Sequence, residues 1–414
     1  MKKQNQAFTY IDLFAGCGGL SDGFEQTGLF RGVAHIEWER AAAETLKKRL
    51  KSRWGVHDAD DRVLCFDIQR TQELFEGWKD PDFGEHRGLR SLIEERGEHV
   101  DLIIGGPPCQ AYSLAGRIRD KNGMRDDYRN YLFESYLETI LRVKPAVFVF
   151  ENVVGMLSAK PGGTPIVDRI RAGFEKAGYV TVADFRDAKF DLEKFGVPQK
   201  RSRVIIVGLR WEAFAEGADL RQILGDFYKD FFQKNRVDCL STAKQALNGL
   251  TKFFPNGESD SQRSHFSHSP ISSKFLNHRP RFHNQRDVEI FRLLAEDLRT
   301  GAGKFKSSDS LKQLYTEKTG KQSSVHKYHV IRADEPSNTI PAHLYKDGLR
   351  HIHWDPNQAR SITVREAARL QTFDDDFEFL GSAGSQYKMI GNAVPPKFAK
   401  LLALSLVDLL ELRR

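Results

Sequence analysis

The stretch "TYIDLFAGCGGLSDGF", residues 9–24, decides the fold. Its first six residues form an apolar run suited to a buried strand, and glycines at 16, 18 and 19 then open a helix start. Glycines at such a turn let the backbone pass close to a ligand beside a helix N-terminus. The spacing is not Gly-x-Gly-x-x-Gly and no Walker lysine follows, so a dinucleotide and a nucleoside triphosphate both fit poorly. Outward from this unit, "GVAHIE" (32–37), "VLCF" (63–66), "DLIIGG" (101–106), "AVFVFEN" (146–152) and "RVIIVGL" (203–209) read as further strands. "ERAAAETLKKRL" and "YLFESYLETILRV" lie between them with apolar residues at helical spacing. The alternation predicts an α/β chain with a Rossmann-like, mostly parallel sheet.

From about 211 to 345 the texture becomes polar and irregular, interrupted by an amphipathic helix at 287–300. Order returns at "SITVREAARLQTF", where Thr363 and Glu366 form a Thr-x-x-Glu capping box. The last helix, "PPKFAKLLALSLVDLLELRR", has prolines in its first turn, where they are tolerated. A length of 414 residues suits two domains or so. No apolar stretch approaches a membrane span, and the opening "MKKQNQAFTYIDLF" lacks a signal-peptide core. Cys17, Cys65, Cys109 and Cys239 are scattered, as expected of reduced cytoplasmic thiols rather than a disulfide framework or zinc site. The net charge of +7 is compatible with nucleic acid but ordinary for an enzyme.

Three acidic or aromatic positions fall at successive strand ends. Glu37 can accept both hydroxyls of a ribose, Trp38 can stack on a purine, and Asp67 can accept from an adenine amino group. Singly each is an ordinary loop residue or cap; in register they predict a nucleoside pocket. In "DLIIGGPPCQAYS" (101–113), Gly105 and Gly106 stop a strand, and Pro107 and Pro108 stiffen the exit, so that Cys109 is delivered at the strand's carboxyl end. "FENV" places Glu151 at the end of the neighbouring strand, where burial can raise a carboxyl pKa and fit it for acid work. "QKRSRVIIVG" (199–208) puts Gln199, Arg201 and Arg203 at alternating positions, with an anion, a carbonyl or a local acid as the expected partner of the arginines. Asn392, in "YKMIGNAVPPKFA", can close over the same pocket. A thiolate, a carboxylic acid and an arginine beside an adenosine pocket suit methyl transfer to an acceptor that needs nucleophilic activation, such as carbon 5 of cytosine.

The ordered set "DLFAGCGGL", "EW", "DI", "GGPPCQAYS", "ENV", "QKRSR", "REAARLQTF" and "GNAVPP" resembles the DNA cytosine-5 methyltransferases of bacteria and their phages, over residues 8–210 and 358–412. The resemblance implies the S-adenosylmethionine-dependent methyltransferase fold, with a catalytic domain at 1–210 plus 385–414 and a smaller target-recognition domain at 211–384, its variable part about 211–357. It implies Cys109, Glu151, Arg203, Arg201 and Asn152 as catalytic residues. Phe14, Gly16, Cys17, Gly18, Gly19, Glu37, Trp38, Asp67, Ile68, Pro107, Leu132, Asn392 and Val394 would hold S-adenosyl-L-methionine, leaving S-adenosyl-L-homocysteine as product, with no metal. A mobile loop would follow the cysteine at 110–130, carrying five arginine or lysine residues. Gln110, Ser113 and Arg125 in it, with Arg279, Arg281 and Arg286, would contact double-stranded DNA. Residues 261–286 carry five Lys/Arg, four His and no acid, which fits phosphate contacts or else a solvated loop. His265, His268, His278 and His283 lie in it without a cysteine or carboxylate among them, so no zinc site is expected. The family further implies a monomer in the bacterial cytoplasm, working on the nucleoid, with no membrane attachment and with any cognate restriction endonuclease acting separately. Two other readings remain open at this level: an RNA cytosine-5 methyltransferase, whose branch has a shorter recognition region, and a non-catalytic DNA-binding relative.

Overall fold

The computed structural model describes residues 7–95, 99–108, 132–257 and 266–414, apart from 272, 327 and 347. The chain divides into two compact units. One comprises Met1–Phe195, Arg201–Asp238 and Ala393–Arg414, and the other Gly196–Lys200 and Cys239–Asn392.

The first unit is built on an eight-stranded sheet. Its strands are β1 (Phe8–Leu13), β2 (Phe30–Glu37), β3 (Val63–Cys65), β6 (Leu102–Gly105), β7 (Val147–Val153), β8 (Tyr179–Val180), β9 (Lys189–Asp191) and β10 (Ser202–Arg210); β4 (Trp78–Asp80) and β5 (Gly84–His86) make a separate hairpin. The order is β3-β2-β1-β6-β7-β10-β8, with β9 also paired to β10. The pairs from β3 through β7 are parallel, whereas β10 runs antiparallel to β7, β8 and β9. Strands β1, β6 and β7 are buried on both faces, which is why they read as continuous apolar runs. The chain leaves β1 toward β2 and β3, then returns to β6 on the other side. This reversal places a topological switch point at the carboxyl ends of β1 and β6, where α/β sheets bind ligands.

Helices α1 (Gly19–Glu25), α2 (Arg40–Trp54), α3 (Ala59–Arg62), α4 (Thr71–Glu76), α5 (Gly88–Glu95), α6 (Leu132–Val143) and α7 (Ile166–Lys176) cover the sheet. Helix α2 buries Ala42, Ala43, Leu46 and Leu50 at helical spacing and ends at Gly55, whose left-handed φ of 66° lets its N–H reach Leu50 O. Residues 211–238, grouped by sequence texture with the irregular region, pack instead in the first unit. There α8 (Leu220–Asn235) is capped by Asp219, which accepts from the N–H groups of Arg221 and Gln222. Its aromatic face explains the placement: Phe232 stacks on Phe190 at 4.8 Å, and Phe231 meets Phe398 of the C-terminal helix (Pro396–Glu411) at 5.7 Å. Tyr228 Oη donates to Ile205 O (2.7 Å) and accepts from the Val207 N–H (2.9 Å), fastening the helix to β10.

The second unit contains α9 (Ala243–Ala246), a two-stranded ribbon of β11 (Phe254–Pro255) and β12 (His268–Ser269), α10 (Gln285–Thr300), α11 (Ser308–Thr319), α12 (Val364–Leu370) and α13 (Ala383–Asn392). Its core gathers Val288, Ile290, Phe291 and Leu294 of α10 with Leu314, Tyr328 and Ile352. The capping box at Thr363 and Glu366 forms, and Glu366 also takes both ends of the buried Arg360 guanidinium, at 2.6 and 2.7 Å.

Candidate active site

The turn after β1 is the first wall of the site. Phe14, Gly16 and Gly18 all have positive φ (60°, 58° and 92°), so the chain turns sharply before α1. A Cβ at Gly16 would meet nothing within 4 Å, so open space lies beside that backbone; one at Gly19 would stand 2.4 Å from Val394 O, so that glycine is needed for close packing. Glu37, at the end of β2, ties the turn down. Its Oε2 accepts from the Gly16 N–H and its Oε1 from the Glu39 N–H, each at 2.7 Å. The Trp38 N–H also acts on this carboxylate, so of its four acceptor positions one is left for a ligand hydroxyl. Burial raises the Glu37 pKa, and the N–H groups of Glu39 and Gly16 oppose it. Trp38 stands 51% exposed, a ring face open to stacking. Asp67 follows β3 and caps the next turn, accepting the Gln69 N–H through Oδ1 at 3.0 Å, with Ile68 buried behind it. The Cys17 and Val394 side chains are buried too.

Beneath the turn, two buried contacts hold α1 in place. Asp22 takes Arg49 Nε at 2.6 Å and Trp54 Nε1 at 3.0 Å, joining α1 to α2. Ser21 Oγ donates to Asp12 Oδ2 (2.5 Å) and lies 2.9 Å from His35 Nδ1. Burial raises Asp12 to about 7 and lowers His35 to about 3.

The second wall stands at the ends of β6, β7 and β10. Glu151 pairs in register with Ile205, and Arg203 with Val153, which brings the two side chains together in an ion pair of 2.7 Å. A Cβ on Gly106 would come within 2.5 Å of Glu151 Oε2, so the second glycine of Gly105-Gly106 makes room for this carboxylate, while the first packs on Leu13 O. Arg201 is 1% exposed and donates from Nη2 to Ala393 O at 3.0 Å, beside the Val394 carbonyl that abuts Gly19. Burial and then Arg203 lower its pKa, and Glu151 opposes them. Asn152 Nδ2 reaches toward Pro107 O at 3.5 Å, and Asn152 Oδ1 accepts the Val153 N–H at 2.8 Å. Gln199, expected on one strand face with the two arginines, precedes β10 and is buried in the second unit, bonded to Gln371 Oε1 and the Ile340 N–H. Cys109, Gln110, Ser113 and Arg125, with the loop 110–130, lie outside the described residues. The described strand end stops at Pro108, one residue short of the cysteine.

Residues 8–408 match the family model for C-5 cytosine-specific DNA methylases. The chain belongs to that family. This methylase is 33% identical to the type II methyltransferase M.Bpa9945I of Bacillus paralicheniformis, over 97% of this chain and 99% of that one. It is 30% identical to the type II methyltransferase M.NgoFVII of Neisseria gonorrhoeae, over 96% of this chain and 86% of that one. Among solved structures it matches a DNA modification methyltransferase encoded within an E. coli prophage, with a TM-score of 0.64, 21% identity and coverage of 98% and 100%. That likeness supports the α/β fold, and family membership makes the chain a DNA cytosine-5 methyltransferase.

S-adenosylmethionine, the methyl donor the family implies, is compatible with the donor set. The open space at Gly16, the remaining acceptor position of Glu37 and the exposed face of Trp38 suit an adenosine. Leu132, at the start of α6, is buried, and Asn392, the last residue of α13, is exposed. Among the described residues no group of three or more His, Cys, Asp or Glu is arranged to hold a metal ion, and no helix is long and apolar enough to cross a membrane.

Among the described residues, His268, His278 and His283 of the polar stretch brace the second unit of this methylase. His268 Nε2 meets Gln358 O, His278 bridges Thr363 Oγ1 and Thr251 O, and His283 Nε2 accepts the Ser361 N–H. Burial holds His268 near pKa 4 and His283 near 3, so both are neutral at pH 7. Of the three arginines expected at DNA, Arg281 donates to Leu344 O and Tyr345 O, Arg286 pairs with Asp287, and Arg279 lies over the Phe266 ring at 4.5 Å. Signals for these roles were absent from the sequence, because a buried histidine and an exposed one look alike in a polar segment.

Proposed function

We propose that the methylase adds a methyl group to carbon 5 of a cytosine turned out of duplex DNA, through a transient bond between Cys109 Sγ and carbon 6 of the base. The supporting observation is the Glu151–Arg203 ion pair, set where the carboxyl end of β7, neighbour of the strand that leads to Cys109, meets the amino end of antiparallel β10. Carbon 5 of cytosine is a poor nucleophile until something adds at carbon 6, and a thiolate makes that addition reversible. As the Cys109–C6 bond forms, electron density moves onto the ring. Glu151 protonates or hydrogen-bonds ring N3, and Arg203 donates to the O2 carbonyl where charge builds. Held against Arg203 at 2.7 Å, Glu151 is aimed before the base arrives. S-adenosylmethionine supplies an electrophilic methyl group. Loss of the carbon-5 proton to a base then restores the double bond, expels the Cys109 thiolate and returns any N3 proton to Glu151. An in-duplex cytosine cannot reach such a site, so the target leaves the stack.

The first unit is assigned to catalysis and cofactor, and the second to reading the target. The compared relatives are named type II methyltransferases, which supports reading the enzyme as the modification partner of a separate restriction endonuclease; the proposal is completed by a monomer working on nucleoid DNA in the cytoplasm.

The test is base-resolution bisulfite sequencing of plasmid from a host without cytosine methylation, expressing wild type or Cys109→Ser. Protected cytosines recurring in one short sequence with wild type alone are the expected result. Protection that persists with Cys109→Ser above a few per cent, a rough threshold for loss of a covalent nucleophile, would sink the adduct. Absence of any protected site with wild type would turn attention to RNA.

A further inference from the structure

We propose that Phe282 is the side chain with which the second unit reads duplex DNA, and that its neighbour Arg281 is the brace that presents it rather than a phosphate ligand; the inference rests on the DNA reading above.

The backbone on both sides of Phe282 is pinned. Pro280 fixes φ just before Arg281. The Arg281 guanidinium spends its donors inward, on Leu344 O at 3.1 Å and Tyr345 O at 2.9 Å, and lies over the Tyr387 ring at 5.6 Å. On the other side His283 is buried. Its N–H donates to Ser267 Oγ at 2.9 Å, and its ring Nε2 accepts the Ser361 N–H at 3.2 Å. Ser267 Oγ also lies 3.3 Å from Arg281 O, so the residue that leads into β12 is bound to residues 281–283. Between these anchors Phe282 stands 57% exposed.

A single exposed phenylalanine is unremarkable. One fixed at both neighbours is different, because its side chain is offered to solvent without the backbone freedom to tuck it away. Its surroundings indicate the partner. Residues 266–286 carry Lys274, Arg279, Arg281 and Arg286 and no aspartate or glutamate. Arg279 is exposed and stacked over Phe266, so its orientation is set while its charge still faces water. Phe254, on the strand paired with β12, is also exposed, opposite Ser269. A partner that answers both basic charge and rigid aromatic faces is a nucleic acid duplex. Its phosphates meet Arg279 and Lys274, and its base edges, thymine methyl groups and stacked base faces meet Phe282.

The experiment uses the full chain with S-adenosylhomocysteine present. Affinity is measured by fluorescence anisotropy on a duplex bearing the sequence found by bisulfite mapping and on a scrambled duplex, over a range of salt. Phe282→Ala should weaken the cognate duplex by about tenfold or more, with a smaller effect on the scrambled one and an unchanged salt slope. Phe282→Trp, which keeps an aromatic face, should recover part of the loss. Arg279→Ala should instead lower the salt slope by about one and weaken both duplexes alike. Thermal melts establish that each variant folds. Wild-type discrimination retained in Phe282→Ala, or an equal loss on both duplexes, overturns the assignment. Preferential loss of an acidic protein or RNA ligand, with DNA binding intact, overturns it as well. If wild type methylates no duplex, the DNA reading itself falls; if wild type methylates and Phe282→Ala keeps the same site and affinity, only this proposal falls.

Discussion

Gly106 shows how one missing methyl group sets up the chemistry. Its backbone lies so near Glu151 that a Cβ would stand 2.5 Å from Oε2, and Arg203 holds that carboxylate from the other side at 2.7 Å. In Gly106→Ala the carboxylate has to leave Arg203 or turn within the site. Turnover should therefore fall by about a hundredfold or more, the usual scale for a displaced general acid, while S-adenosylmethionine binding stays within about twofold of wild type, a margin set by a cofactor pocket untouched on the β1 side. Single-turnover rates and equilibrium cofactor titration check the two halves separately; full activity would show that the carboxylate has room to spare. At this scale the sequence was informative about identity and mute about partners. Glu151 and Arg203 stood out by position, and an ion pair was the plain alternative for the arginine. The structure joins the two residues in an ion pair, which in the proposed mechanism aims the acid. Gly106 was legible only as a strand stop, because the side chain it makes room for comes 45 residues later in the chain.

At the scale of elements, the parallel half of the sheet was readable and the rest was not. Strands β1, β2, β6, β7 and β10 fall within two residues of their expected bounds, since doubly buried strands leave continuous apolar runs. The antiparallel direction of β10 leaves no such trace, because side-chain pattern is blind to strand direction. Helix α8 is masked in the sequence by its polar neighbours, although Leu220, Leu224, Phe227, Tyr228 and Phe231 repeat at helical spacing. The helix is an integral part of the first unit, which gives a prediction at this scale. Phe231 is 1% exposed and packs on Phe190, Phe195 and Phe398. Phe231→Ala should cost about 3–5 kcal/mol, the usual range for an emptied aromatic site. The loss should appear in the denaturant transition that cofactor binding stabilises. An effect confined to a separate transition, insensitive to cofactor, would detach α8 from the first unit.

Across the whole molecule the histidines carry a pH dependence that composition conceals. Burial lowers His35, His283, His351 and His353 to about 3 and His268 to about 4, with His86, His278 and His329 shifted the same way. A histidine whose folded pKa lies below its unfolded value of about 6.5 stabilises fully above that value, and the contribution is lost as pH falls toward the folded pKa. Asp12, raised to about 7 by burial, acts in the opposite direction between about 4 and 7, and Glu25 and Glu37, also raised by burial, act with it. Eight histidines outweigh three carboxylates over this window, and each net proton tilts stability by about 1.4 kcal/mol per pH unit. Thermal stability should therefore fall steeply between pH 6.5 and 5, well above the range where surface carboxylates titrate. Scanning calorimetry at constant ionic strength from pH 7.5 to 5 tests it. The proton uptake should also diminish by about one in His283→Gln, because His283 is buried, near 3, and would take its proton only on unfolding. A melting temperature that is flat or rises on acidification would mean that the carboxylates dominate, or that the histidines find partners when charged.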